Sequence, residues 1–253
     1  EGPLTACGPG VERLAEEAAV LFPEARQAMM TSDTLTGPEA AAEMVRRVQA
    51  REIDLLIGTQ IVAKGHHFPH LTLVGVVDAD LGLYGGDLRA AERTYQLLSQ
   101  VAGRTGRGTL GGEVIIQTSM PEHYALQAAL THDVEGFARR ELEERLNPPY
   151  PPHQRLANVV ISSPDQTVAM EQAEAATRWL RRGLERPGGP AVQLVGPAPS
   201  PIERLHGRWR WHFLLRSARA ADLGHVCRAF MERFKPKGRD VRVALDRDPV
   251  ALL

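Results

Sequence analysis

Apolar positions fall into two rhythms along the chain, and a proline-rich seam separates them. Before residue 120, helical spacing alternates with short β-rich runs. Val11–Leu21 and Ala90–Ala102 repeat apolar residues at helical intervals. Residues 38–52 read as a helix with Pro38 at its start, where a missing N–H costs nothing. Residues 53–58 and 71–77 are strand-like runs closed by Gly58 and Asp78, and 113–117 is a further strand. Two shorter apolar segments, 3–7 and 25–30, complete the pattern. Strands alternating with helices of this length predict a parallel sheet covered on both faces. Open sheets of that kind place ligands at the carboxyl ends of their strands. The positions to watch therefore follow Gly58, Asp78 and Gln117.

Residues 122–146 form a long charged stretch with helical spacing, stopped by Asn147-Pro148-Pro149 and then Tyr150-Pro151-Pro152. So much proline in so few residues marks a linker or a domain seam. Beyond it come a strand (156–161), a helix (165–185), two strands (192–195 and 209–215), a helix (220–234) and a last strand (241–245). That order, βαββαβ, predicts an α+β sandwich. The expected architecture is an α/β unit over 1–147 and a smaller α+β domain over 148–253. In the run from 207 to 216, strand alternation puts Arg208, Arg210 and His212 on one face and Trp209, Trp211 and Phe213 on the other.

Charge sharpens this division. Net charge over all 253 residues is only −1. Residues 1–147, however, hold 13 Lys and Arg against 21 Asp and Glu, while 148–253 hold 17 against 10. The basic second half is the expected nucleic-acid surface. No apolar run nears the roughly 18 residues that would span a membrane. Glu1-Gly2-Pro3-Leu4 lacks a basic, apolar leader and reads as a cut inside a longer protein. The two cysteines, Cys7 and Cys227, form no CxxC pair, so no zinc site is expected and two free thiols are.

Two segments carry candidate chemistry. Gln100-Val101-Ala102-Gly103-Arg104-Thr105-Gly106-Arg107 closes an amphipathic helix and precedes a strand. Its glycines allow close backbone approach. Arg104 and Arg107 can point one way, and planar guanidinium groups suit a phosphate chain. The other segment, Gly58-Thr59-Gln60-Ile61-Val62-Ala63-Lys64-Gly65-His66-His67-Phe68-Pro69, directly follows a buried strand and gathers short donors that can grip a nucleic-acid backbone. His66 and His67 are poor metal ligands, because adjacent side chains diverge and no third ligand is near.

Taken together, the segments resemble the fifth and sixth motifs of superfamily 2 helicases, and the string Ala63-Lys64-Gly65-His66-His67-Phe68-Pro69 resembles the PriA family of replication-restart helicases. Asp78-Ala79-Asp80, Asp87-Leu88-Arg89-Ala90-Ala91-Glu92-Arg93, Gln117-Thr118 and Pro121-Glu122-His123 agree with that family. So do Pro148-Pro149-Tyr150, Val195-Gly196-Pro197-Ala198-Pro199, Arg208-Trp209-Arg210-Trp211 and Asp246-Arg247-Asp248-Pro249. The chain departs from the family at Val11, where threonine is usual, and over 29–34, which keeps only Asp33-Thr34 of an Arg- and Asp-rich segment.

The resemblance implies the second, RecA-like lobe of an ATP-dependent 3′→5′ DNA helicase, followed by its C-terminal domain. It implies cytoplasmic work on branched and single-stranded DNA, with primosome proteins and the tail of the single-stranded-DNA-binding protein as partners. Arg104 and Arg107 would be arginine fingers, each such finger being worth about 10³–10⁵ in rate, with Gln100 and Gly103 beside the nucleotide. Thr59, Gln60 and Lys64 would contact DNA, supported by His66 and His67. Arg204, Arg208 and Arg210, with a helix carrying Arg228, Arg233, Lys235 and Lys237, would offer a basic surface to branched DNA or to the acidic tail. ATP and magnesium need a P-loop, G-x-x-x-x-G-K-[ST], and no such string occurs here. The family's zinc module likewise lies outside this chain. The chain alone is therefore expected not to hydrolyse ATP. The second reading is a DNA-binding recruitment scaffold of the same family without ATPase activity.

Overall fold

The structure is a computed structural model that describes residues 10–31, 33–34, 37–59, 68–84, 87–103, 111–238 and 240–252. It divides into two compact units, one of residues 1–84 and 90–137, the other of 85–89 and 138–253. The fold is mixed α/β, with short parallel strand pairs in the first unit and an antiparallel sheet in the second.

In the first unit, α1 (Val11–Leu21) packs on β1 (Gln27–Met30) and β2 (Leu55–Gly58), which run parallel with Gln27 opposite Leu55. The pair is clamped where it begins. The Asp54 carboxylate accepts the Arg26 guanidinium at 2.7 and 2.8 Å and the Arg26 backbone N–H at 3.0 Å. Those bonds hold the Asp54 carboxyl well below the usual carboxylate range. Helix α2 (Pro38–Gln49) opens on proline as expected. Strands β3 (Leu73–Val76) and β4 (Glu113–Ile116) form a second parallel pair. One face of that pair, with Val76 and Ile116, packs toward Leu98, Tyr95 and Ala125.

Among the described residues the four strands pair two by two and do not form one continuous sheet. Coverage of both faces is not observed for β3 and β4 either: Leu73 and Ile115 are 52% and 54% exposed. The cause is visible in the strands, where burial alternates with a period of two, the mark of a half-buried surface. Helix α3 (Ala90–Ala102) buries Tyr95, Leu98 and Val101. Tyr95 stacks on Phe137 with ring centres 4.2 Å apart.

The single helix expected over 122–146 is two helices, α4 (Tyr124–Thr131) and α5 (Val134–Glu144). His132 adopts a left-handed conformation, φ 54°, and ends α4. Asp133 then starts α5, its carboxylate accepting the Gly136 N–H at 2.8 Å, as an N-terminal cap does.

The second unit is built on β5 (Arg155–Ser163), α6 (Gln166–Leu184), β6 (Gln193–Leu205), β7 (Arg208–Ser217), α7 (Ala220–Arg233) and β8 (Arg242–Arg247). This is the predicted βαββαβ order, arranged as an antiparallel sheet β6-β7-β5-β8. Asp165 caps α6 by accepting the Val168 N–H at 3.1 Å. His206 and Gly207, both at positive φ, make the two-residue turn from β6 to β7. Gly196, at φ 106°, sits where the β6 register shifts, and a Cβ there would come within 3.1 Å of Phe213 Cβ. Helices α6 and α7 cover one face, burying Val159, Ile161, Phe213, Leu215, Leu180 and Phe230. Cys227 joins this core, and burial pushes its thiol pKa up, so it stays a packed, inert thiol.

The proline-rich seam lies inside the second unit and is pinned. Arg145 donates to the carbonyls of Pro151 and Leu88, both at 3.2 Å, and its Nε to Glu141 at 2.8 Å. The two side chains of that ion pair are only 17% and 11% exposed.

Candidate nucleic-acid interface

Three places gather polar and cationic groups. The first lies at the carboxyl ends of β3 and β4. Chain direction alone brings the two loops together, since parallel strands end side by side. Asp78 leaves β3 in a left-handed conformation, φ 53°, its N–H donating to Gln117 Oε1 at 3.3 Å. The Asp80 carboxylate, nearly inaccessible to solvent, accepts from the Ser119 N–H and hydroxyl at 2.6 Å each and from the Thr118 hydroxyl. Those donors, Ser119 foremost and then Thr118, hold the Asp80 carboxyl below its ordinary value. So engaged, Asp80 ties the β3 and β4 loops together and is a weakened proton acceptor. Sequence reasoning placed Asp80 only within a matching string. The Thr118-Ser119 pair of hydroxyls directly after a strand was the available signal.

Neighbouring motif residues fall partly within the described structure. Thr59 follows β2 and is exposed. Gln100 lies on the exposed side of the last turn of α3, and the Gly103 N–H donates to Ser99 O at 3.1 Å as the helix closes. Gln60, Lys64, His66, His67, Arg104 and Arg107 lie outside the described residues, as does Cys7. Phe68, just beyond the histidines, is buried.

The second place is the sheet face of the second unit opposite its helices. The β7 register sets Arg210 opposite Ser162 and His212 opposite Val160, with Trp211 and Phe213 turned to the helix side. This alternation follows the sequence prediction. Its two arginines differ in character. Arg208 is only 12% exposed. It pairs with Asp240 at 2.8 Å and donates to Ser162 O at 3.0 Å, so its charge is already committed. Arg210 has only a 3.4 Å bond to Ile202 O and no carboxylate partner among the described residues. His212 bonds Asn158 at 3.2 Å, and burial, helped by Arg210, lowers its pKa below 6.5. Beside β7, Arg204 lies 5.4 Å from the Trp209 ring centre, a cation–π contact.

The third place was read only in part: Arg233, Lys235 and Lys237 stood in the expected basic surface, and the wall supplied by α6 did not. Helix α6 and the chain leaving α7 enclose an open groove of about 420 Å³, lined by Trp179 and Phe234 together with cationic side chains from both elements. Arg178 and Arg182 sit one turn apart on α6 and supply two of those charges. The string Arg178-Trp179-Leu180-Arg181-Arg182 on a helix was the available signal.

Comparison with known proteins gives these surfaces their context. Residues 147–250 match the family described as Primosomal protein N C-terminal domain. Replication restart protein PriA of Rickettsia felis is 39% identical over 232 residues, 92% of this chain and 35% of that protein. The Treponema pallidum protein of the same name is 40% identical over 247 residues, 97% of this chain and 36% of its own length. That of Bacillus subtilis is 35% identical over 248 residues, 97% and 30%. The chain thus spans about a third of the length of the curated relatives it matches. On this evidence residues 147–250 match the C-terminal domain of primosomal protein N, and the chain along 92–97% of its length matches the C-terminal portion of proteins named replication restart protein PriA.

Proposed function

We propose that this chain is the second, RecA-like lobe (1–147) and the C-terminal DNA- and partner-binding domain (148–253) of an ATP-dependent 3′→5′ DNA helicase that restarts replication. Similarity to replication restart proteins along 92–97% of the chain carries this reading. The parallel strand pairs, with polar loops at their carboxyl ends, are consistent with a motor lobe. Arg104 and Arg107 act as arginine fingers beside Gln100 and Gly103, completing a nucleotide site on a lobe that carries the P-loop. ATP and magnesium would supply phosphoryl transfer there. This chain's residues orient and neutralise the phosphates, and alone they do not hydrolyse ATP. Thr59, Gln60 and Lys64, supported by His66 and His67, grip DNA. Zinc belongs to a separate module of the longer protein.

On the second unit, Arg210 lies on the sheet face with no carboxylate partner among the described residues. Arg208 reaches a phosphate only by giving up Asp240. Branched DNA is the ligand of this face. Single-stranded-DNA-binding protein and other primosome proteins are partners of the cytoplasmic assembly. No described helix is long and apolar enough to cross a membrane.

The test is a fluorescence-anisotropy titration of a labelled three-way fork with the purified chain at two salt concentrations. Binding should be micromolar and weaken steeply with salt, as counterion release requires. Charge reversal at Arg210 should weaken it further. No binding even at low salt defeats the DNA-contact part of this reading.

A further inference from the structure

We propose that the groove between α6 and the end of α7 is a seat for a single strand of nucleic acid, with a base against Trp179 and phosphates on the surrounding cations. This deepens the DNA-binding reading above and rests on it.

The charge is uncompensated. None of the groove's lining residues is a carboxylate. Among the described residues, the side chains of Arg182, Arg233, Lys235 and Lys237 make no ion pair, and of the lining cations only Arg178 does, with Glu174 at 3.2 Å. Some other arginines of the same unit are matched, Arg208 and Arg242 with Asp240 and Arg155 with Asp248. Several unpaired cations around one concavity repel one another, so the surface favours a polyanion.

The spacing suits a repeating anion. Helix α7 ends at Phe234, which turns to extended backbone (φ −74°, ψ 123°). The Lys237 N–H then donates to the Gln172 side chain on α6 at 2.8 Å, fixing the segment along that helix. Lys235 and Lys237 are two residues apart on it, about 6.6 Å in extended chain. That is on the order of the distance between successive phosphates of an unstacked strand. A single terminal carboxylate would call for one enclosed cationic pocket, and this groove is open and cationic along both walls.

The aromatic groups suit a base. Trp179 meets Phe230 and Phe234 edge-on, at 60° and 61°, and among the described residues no ring lies parallel to it. Stacking of bases on an aromatic side chain flanked by cations is the usual device for binding single strands without reading sequence.

The test uses the whole chain with Trp209→Phe and Trp211→Phe, which leaves Trp179 as the sole indole. Titration with oligo(dT) should quench its fluorescence. The double variant Arg182→Glu/Arg233→Glu should lose about tenfold or more in oligo(dT) affinity. Neutralising the same two positions with Gln should flatten the log–log salt slope by about 1.4, the value for two single-strand phosphates. Both positions are exposed and unpaired, so the variants should fold, and an unchanged thermal transition checks that. Fork binding that survives while oligo(dT) neither quenches Trp179 nor responds to the charge changes would overturn this proposal and leave the reading above intact. Absence of binding to either DNA would overturn both. Quenching by an Asp- and Glu-rich peptide but not by oligo(dT) would also overturn it, assigning the groove to a protein partner.

Discussion

In the first unit, strands of four residues pair two by two and leave Leu73 and Ile115 half exposed. In the second, a nine-residue strand runs through the middle of a four-stranded sheet, with Leu156, Ala157, Val159 and Ile161 wholly buried. The candidate chemistry divides the other way. The first unit places Thr59 just past the end of β2 and Gly103 at the close of α3. The second presents cations on regular elements, a strand face and two helix flanks, positioned by a core that they do not enter. Acidic charge predominates before the seam and basic charge after it. Short, half-exposed strands open at lower cost than a long buried one, so the first unit is the one expected to exchange its amides faster.

The sharpest way to break this comparison is to empty the second unit's core. Phe230 is 1% exposed and touches Phe213, Trp179 and Phe234 at ring distances of 5.9, 6.0 and 5.0 Å. Phe230→Ala should destabilise that unit by about 3–5 kcal/mol. Amide hydrogen exchange should speed up across β5 and β7 while 27–30 and 55–58 keep their protection. Equal acceleration in both units would mean that they unfold together. A somewhat smaller loss is expected at the seam. Arg145→Ala removes an ion pair from the nearly buried Glu141 carboxylate and frees Pro151 and Leu88, for about 3 kcal/mol. Limited proteolysis should then cut at 147–152. Adding Glu141→Ala should recover part of the loss, and a double variant as weak as the sum of the singles would rule out the coupling.

Why some of this was legible and some was not follows from range. The two faces of β7 were readable because alternation is local: Trp211 and Phe213 had to go one way and Arg210 and His212 the other. The helix break at His132-Asp133 was missed because apolar residues at helical spacing, Leu126, Leu130, Val134 and Phe137, continue through it. Asp133 ahead of Val134-Glu135-Gly136 was a cap signal that the longer pattern hid. The pinning of the seam has no local signature at all, since Arg145 finds Leu88 57 positions away. The same holds for the groove, where Arg178 and Arg182 become neighbours of Arg233 and Lys235 only once the sheet forms. The commitment of Arg208 to Asp240 was likewise invisible, and it separates two arginines that the sequence treated as equals. The motif strings around Lys64 and Arg104 lie outside the described residues, and their reading rests only on which groups occur at which spacing.

The smallest effect expected is a pH dependence confined to the second unit. His212 lies on the open sheet face beside Arg210 and against Asn158. Burial first, and then the positive charge of Arg210, disfavour its imidazolium and lower its pKa in the fold below 6.5. The unfolded chain therefore binds this proton more readily than the folded one. The stability tied to neutral His212 is complete above pH 6.5 and is lost as pH falls from there through the folded value. His212→Gln keeps a hydrogen-bonding side chain and removes the titration. The fall in melting temperature between pH 7.5 and 5.5 should be smaller in that variant than in the parent chain, and the imidazole should titrate below 6.5 by NMR. An imidazole titrating above 6.5 would reverse the sign. Stability would then rise, not fall, as pH drops through that value.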